Sequence, residues 1–235
     1  MIDFHSHILP KLDDGSKSSD MSVQMLSMSY GYGVTTMVAT PHFYIHRNDV
    51  DNFLKARESS YRALRHKIEI SGANDIPEIR LGAEVYYFQN LAALPDIEKL
   101  CIEGTSHLLL EMPFEKWTDK MIEQVEKLIY DRQITPIIAH LDRYLAWQKG
   151  TDAVETLISM GALIQLNGDY INGFLTKGNA LKLIKNGTVS LLGSDCHNMG
   201  ERAPNLGKSF NIIQKKLGQA PLDKIDRCGC KVLGL

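Results

Sequence analysis

The sequence predicts an α/β protein built as a parallel barrel. Three observations carry that expectation. Seven short apolar runs alternate with longer amphipathic segments, the connections are mostly short, and residues able to bind a cation stand where most of the apolar runs end.

The strand candidates are Ile2–His5, Thr35–Thr40, Ile79–Glu84, Leu108–Glu111, Thr135–His140, Ala162–Asn167 and Val189–Ser194. They are apolar and nearly free of charge, as parallel strands covered on both faces must be. Helical patterns fall between them at Met21–Gly31, Val50–Ile70, Asn90–Leu100, Lys120–Asp131, Ala153–Met160 and Ala180–Lys185, with a last helix over Leu206–Leu217. Thr118 or Asp119 is placed to cap the helix whose apolar face carries Met121, Val125 and Leu128. Gly33, Gly161 and Gly187 follow helical runs, where a left-handed residue is favoured. Met21, Met25 and Met28 lie along the first helix and read as core packing rather than as a docking face. Periodicity alone does not separate a closed barrel from an open, doubly wound sheet. Polar groups at the ends of several different strands favour the barrel, since an open sheet gathers its site at one switch point.

The 235 residues read as one domain over 1–235, with no Pro/Gly/Ser-rich stretch or charge block to divide them. The composition, 44% hydrophobic and 23% charged, is that of a globular protein. A net charge of -2 argues against nucleic acid as a partner. No apolar run approaches the roughly 20 residues of a membrane span, so no direct membrane insertion is expected. Chemistry-bearing residues begin at Asp3 and His5, where a signal peptide would have its charged and apolar regions, so a cytoplasmic location is expected. Four cysteines, Cys101, Cys196, Cys228 and Cys230, read as reduced thiols, Cys228-Gly229-Cys230 being too weak a pattern for a redox or metal pair.

The candidate ligands come in six groups. In Asp3-Phe4-His5-Ser6-His7 the two imidazoles share a strand face and can address one cation, although H-x-H alone fits surface histidines equally well. Asp13-Asp14-Gly15 follows closely. An Asx turn explains Asp13, while Asp14 is free to reach the same ions. Pro41 stops a strand and sets His42 at its exit. Glu84 and Glu111 each close an apolar run, where an unpaired carboxylate is costly, so each needs a cation or a salt bridge. His140 precedes Arg143, and Asp195-Cys196-His197 precedes Arg202. Both arginines suit two-pronged binding of a phosphoryl group, or else simple pairing with Asp142 and Glu201. His46, His66 and His107 stand outside the pattern and read as structural. His5, His7, His42, Glu84, Glu111, His140, Asp195 and His197 exceed what one four-coordinate zinc needs, and they suit mixed N/O sites for Mn, Fe or Zn.

This arrangement resembles the PHP superfamily, polymerase and histidinol phosphatase, in its branch of bacterial tyrosine phosphatases tied to capsule and exopolysaccharide synthesis. The matching residues run from His5-Ser6-His7-Ile8-Leu9-Pro10 and Asp13-Asp14-Gly15 through Thr40-Pro41-His42, Gly82, Glu84 and Glu111. They continue with His140, Arg143, Ser194-Asp195, His197 and Arg202, spanning nearly the whole chain. The resemblance implies a distorted (β/α)7 barrel holding two or three divalent ions, manganese foremost. It implies hydrolysis of phosphotyrosine by a metal-activated hydroxide, with Arg143, Arg202 and Asp14 as catalytic groups. The implied partner is a phosphotyrosine protein, a membrane-associated bacterial tyrosine kinase. One departure stands out: the family motif His-Pro-Glu-Arg reads His140-Leu141-Asp142-Arg143 here.

Rival readings remain at this stage. Cys196 to Arg202 satisfies C-x5-R, the phosphate loop of cysteine-dependent tyrosine phosphatases, but Glu201 beside the arginine opposes phosphate. A small-molecule phosphatase for histidinol phosphate and an amidohydrolase-type deacylase use similar ligand sets. A regulatory module docking a tyrosine kinase would keep metal for structure, in a closed cage of four ligands.

Overall fold

Apolar strands must be covered on both faces, and in the computed structural model, describing residues 1–235, most strands are so covered, β4 being the more exposed exception. In chain order the strands are β1 Ile2–Ser6, β2 Thr36–Ala39, β3 His42–Phe43, β4 Glu78–Leu81, β5 Glu84–Tyr86, β6 His107–Glu111, β7 Thr135–Ile138, β8 Leu163–Asn167 and β9 Leu191–Gly193. The helices are α1 Ser19–Gly31, α2 Val50–Ser71, α3 Asp119–Tyr130, α4 Ala153–Ser159, α5 Gly168–Asn172, α6 Lys177–Lys185, α7 Leu206–Leu217 and α8 Ala220–Leu233.

All pairings are parallel, in the orders β1-β2-β4 and β3-β5-β6-β7-β8-β9. The ends meet where Ser6 bridges Cys196, with Asp195 N–H donating to His5 O at 2.8 Å and His7 N–H to Cys196 O at 2.9 Å. The result is the distorted barrel expected, with seven strand positions around its ring. Its distortion lies in the second and third positions, each expected as one strand and each broken in two. Pro41 lacks the amide proton that would carry β2 into β3, and Gly82-Ala83 separates β4 from β5. The displaced halves pair with each other, His42 opposite Glu84.

A cluster containing Leu109, Ile137 and Leu191 takes alternate residues of β6, β7 and β9, together with Phe4 and Val38. It fills the barrel below the polar mouth, while Leu108, Leu110 and Ile138 pack outward under the helices. Val232 and Leu233 of α8 join the inner cluster. The sequence places its last helix at Leu206–Leu217 and does not anticipate α8, which contains Gly229. A Cβ there would meet the Phe4 ring at 2.8 Å, so the glycine serves close packing of a helix against β1.

The helix expected over Asn90–Leu100 is corrected to two 3₁₀ turns, Leu91–Ala93 and Ile97–Leu100. Pro95 prevents a continuous ladder, and Asn90 and Asp96 take left-handed conformations. Thr118 is the N-cap of α3, and Gly33, Gly161 and Gly187 all have positive φ. Met25 is buried and Met21 packs against the same cluster. All four cysteines are free. No helix is long and apolar enough to cross a membrane.

Candidate metal centre

Strand exits bring the predicted groups to one place. Glu84, 1% exposed, is the hub: its Oε2 lies 2.9 Å from His42 Nδ1, 3.2 Å from His5 Nε2 and 3.3 Å from His7 Nε2. Its Oε1 lies 2.9 Å from His140 Nε2, which is also 3.5 Å from Glu111 Oε1. The shared strand face of His5 and His7 brings their Nε2 atoms within 3.2 Å. Asp195 Oδ1 stands 3.5 Å from each of these nitrogens. Asp14, at the open rim, places Oδ1 3.4 Å from both His42 Nε2 and His197 Nε2. All eight candidate ligands and Asp14 therefore converge. His46 and His66 are exposed, and His107 starts β6, four residues from Glu111.

Three overlapping donor sets are compact enough for one cation each: His7, Asp14, His42 and His197; His5, His7 and Glu84; His42, Glu84 and Glu111. Although three imidazoles crowd Glu84 Oε2, that buried oxygen has no aligned hydrogen-bond donor, and His197 Nε2 is likewise unpartnered. Lone pairs aimed at common points, rather than at one another's protons, fit a divalent cation held by mixed N/O donors.

The charge balance agrees. Burial alone would raise the carboxylates of Glu84 and Asp195, yet the surrounding histidines, and Arg143 for Asp195, hold both well below the usual range. His7 is raised because the carboxylates of Asp13, Asp195 and Glu84 around its ring outweigh its burial. His140 is pushed up to about 9 against its burial by Glu111 and Glu84. His197 goes the other way, to about 4, through burial and the neighbouring His7.

Arg143 and Arg202 both pair with Asp195, Arg202 Nη2 at 2.8 Å from Oδ1 and Arg143 Nη2 on Oδ2. Neither bonds the acid proposed as its simple partner: Asp142 Oδ1 accepts instead from Asn167 N–H at 3.1 Å, and Glu201 is exposed. Backbone strain accompanies the site, since His140 (φ 32) and Asp195 (φ 51) lie in the left-handed region.

Two site residues escape the sequence reading. Gln165 Oε1 accepts from His140 N–H at 2.7 Å and lies 3.2 Å from His5 Nδ1, and Asn167 Nδ2 donates to Asp195 Oδ2 at 3.1 Å. The available signal was two amides spaced by one residue in an otherwise apolar strand. Asp13 is a third case, making the expected Asx turn to Gly15 N–H at 2.9 Å while its other oxygen takes His7 Nδ1 at 2.7 Å.

Cys196 is fully buried in an apolar cluster, and burial and the nearby Asp3 raise its thiol far above the ordinary range. A thiol so placed is no nucleophile, and the C-x5-R reading fails on geometry.

A parallel barrel whose C-terminal mouth gathers imidazoles, carboxylates and two arginines has the build of the barrel hydrolases. The profile described as "Capsular polysaccharide synthesis, CpsB/CapC" matches residues 1–231, and the chain belongs to that family. It is 32% identical to tyrosine-protein phosphatase CpsB of Streptococcus pneumoniae over 235 residues, covering 93% of this chain and 91% of that protein. Tyrosine-protein phosphatase YwqE of Bacillus subtilis is 30% identical over 233 residues, covering 93% and 85%. Among solved structures, one from the work on YwqE and CpsB, described as "unique metal-dependent tyrosine phosphatases", superposes with TM-score 0.84 at 22% identity, over 98% and 93% of the two chains. The phosphotriesterase homology protein of Escherichia coli superposes at 0.53 with 13% identity, over 95% and 94%. These superpositions support the barrel.

Proposed function

We propose that this protein is a metal-dependent protein-tyrosine phosphatase. The observation that carries the reading is the pairing of a buried N/O donor cluster around Glu84 with two partly exposed arginines held on Asp195. The curated relatives, named as tyrosine-protein phosphatases, support it. The donor sets would take two or three divalent ions, Mn foremost, with Fe or Zn as alternatives, and Glu84, common to two sets, would help to hold more than one of them. Such ions would supply an activated water as nucleophile and offset charge on the phosphoryl oxygens.

The chain's own groups do the rest. Arg143 and Arg202 are fixed by Asp195, with Arg202 Nη1 also 4.0 Å from Asp14 Oδ2, and their remaining donors would meet the phosphoryl oxygens as charge redistributes. Gln165 fixes His140 at its strand exit by accepting from its backbone N–H, while Glu84 and Glu111 both face the same ring nitrogen, Nε2. Asp14, its side chain 62% exposed, or a site histidine would give a proton to the departing tyrosyl oxygen. That group, of pKa about 10, needs only modest help. The substrate proposed is a phosphotyrosine protein of the cytoplasm, a membrane-associated tyrosine kinase of capsular or exopolysaccharide synthesis.

Purified protein should hydrolyse a tyrosine-phosphorylated peptide, lose activity to chelator and regain it with manganese, and Cys196→Ser should remain active. Chelator-resistant activity that disappears with Cys196 would overturn the reading.

A further inference from the structure

Above the ligand layer the mouth is not uniformly polar. Two residues along a strand return a side chain to the same face, about 6.6 Å higher. That step leads from His42 to Tyr44 at the exit of β3, and from Glu84 to Tyr86 in β5. The Tyr44 ring centre lies 5.2 Å from His42 and 5.7 Å from Tyr86, and Arg47 stacks over Tyr44 at 4.6 Å. At the exit of β6, the Phe114 ring runs nearly parallel to His140, 15° off at 6.1 Å, and rests on Tyr144 at 5.4 Å.

Phe114 is 44% exposed, yet its orientation is fixed from below. Tyr144 is fully buried, its hydroxyl accepting from Met112 N–H at 3.0 Å, and Trp117 meets it edge-on at 5.2 Å. The three rim rings follow adjacent strand positions β3, β5 and β6, while the arginines follow β7 and β9. The mouth therefore has an aromatic arc and a cationic arc.

We propose that Tyr44, Tyr86 and Phe114 form a wall that selects aryl phosphate monoesters over alkyl ones, an inference resting on the phosphatase reading above. A phosphoryl group drawn to Arg143 and Arg202 leaves the ester substituent to rise along the aromatic arc. A phenyl ring gains contact there and covers apolar surface. A short alkyl ester would bring peptide amides against the rings, where desolvation is unfavourable.

Calorimetric binding to the manganese-loaded protein tests this without relying on turnover, using phenylphosphonate, methylphosphonate and inorganic phosphate as probes. The wild type should prefer the phenyl compound by about tenfold or more, and Phe114→Leu and Tyr86→Leu should each cut that preference roughly three- to tenfold. Inorganic phosphate affinity should hold within about twofold in both, and Phe114→Tyr should keep the preference. No aryl preference in the wild type, or leucine variants that retain it, would overturn the wall. So would variants that lose all three probes alike. If the preference holds while phosphotyrosine peptide is not hydrolysed, the phosphatase reading fails and the wall stands as an aryl-phosphate binding surface. Hydrolysis without aryl preference sinks the wall alone.

Discussion

Asp13 holds His7 from behind, its Oδ2 2.7 Å from Nδ1, so that Nε2 is turned toward Glu84 and Asp195. The same oxygen accepts from His42 N–H at 3.1 Å, tying all three donor sets to one carboxylate. Asp13→Asn keeps the shape and removes the charge that supports the ring. It should weaken metal binding about 10- to 100-fold with little loss of fold, measured by competition with a chelating dye alongside circular dichroism.

Metal loading should be strongly pH-dependent. A histidine with a raised pKa holds its proton to higher pH in the metal-free protein and must lose it before ligating. His7 and His42 are raised, and His140 lies at about 9, in each case because neighbouring carboxylates outweigh burial. His197, at about 4, is already neutral and adds nothing at pH 7. Apparent affinity should thus climb as pH rises, with the His140 contribution levelling off near 9. Calorimetry at pH 7 in buffers of different ionisation enthalpy should show net proton release. Zero release would mean that these histidines are not displaced by metal.

The convergence of these groups was legible because a charged or imidazole side chain ending an apolar strand has few inexpensive explanations. His5, Glu84 and Asp195 stood out only through the joint pattern along the chain, since neither H-x-H nor a lone strand-end carboxylate is decisive by itself. Gln165 and Asn167 could not, since neutral amides in a strand carry no such penalty signal and find their meaning only across β7, β9 and β1. The breaks between β2 and β3, and between β4 and β5, were half visible in Pro41 and Gly82. What stayed hidden is that the displaced halves pair again and set His42 opposite Glu84. Helix α8 was not anticipated at all, and the role of its Gly229, close packing against Phe4, exists only across the fold.

Gly193 should tolerate no side chain. A Cβ there would sit 2.5 Å from His5 Cβ and 2.7 Å from Gln165 Nε2, so β9 can approach β1 and β8 only as glycine. Both neighbours belong to the site, and neither is a flexible surface tip. Gly193→Ala should cost about 1–3 kcal/mol in denaturant unfolding, and it should lower metal affinity as His5 is pushed aside. Unchanged stability and metal binding would show that the barrel relaxes there freely.

The arginines are tested best by charge-conserving change. Asp195 is buried and engages Arg143 through Oδ2 and Arg202 through Oδ1, while the two arginine side chains remain 35% and 36% exposed. Each can therefore grip the carboxylate with one arm and offer the other to a phosphoryl group, which a lysine ammonium cannot do. Arg143→Lys and Arg202→Lys should each lower kcat/KM on a phosphotyrosine peptide by about a hundredfold, the scale of losing one donor to developing charge. Because both act through one carboxylate, the double variant should lose less than the product of the two. If single lysine variants stay within about threefold of wild type, the arginines serve only to neutralise Asp195, and the phosphoryl group is bound elsewhere.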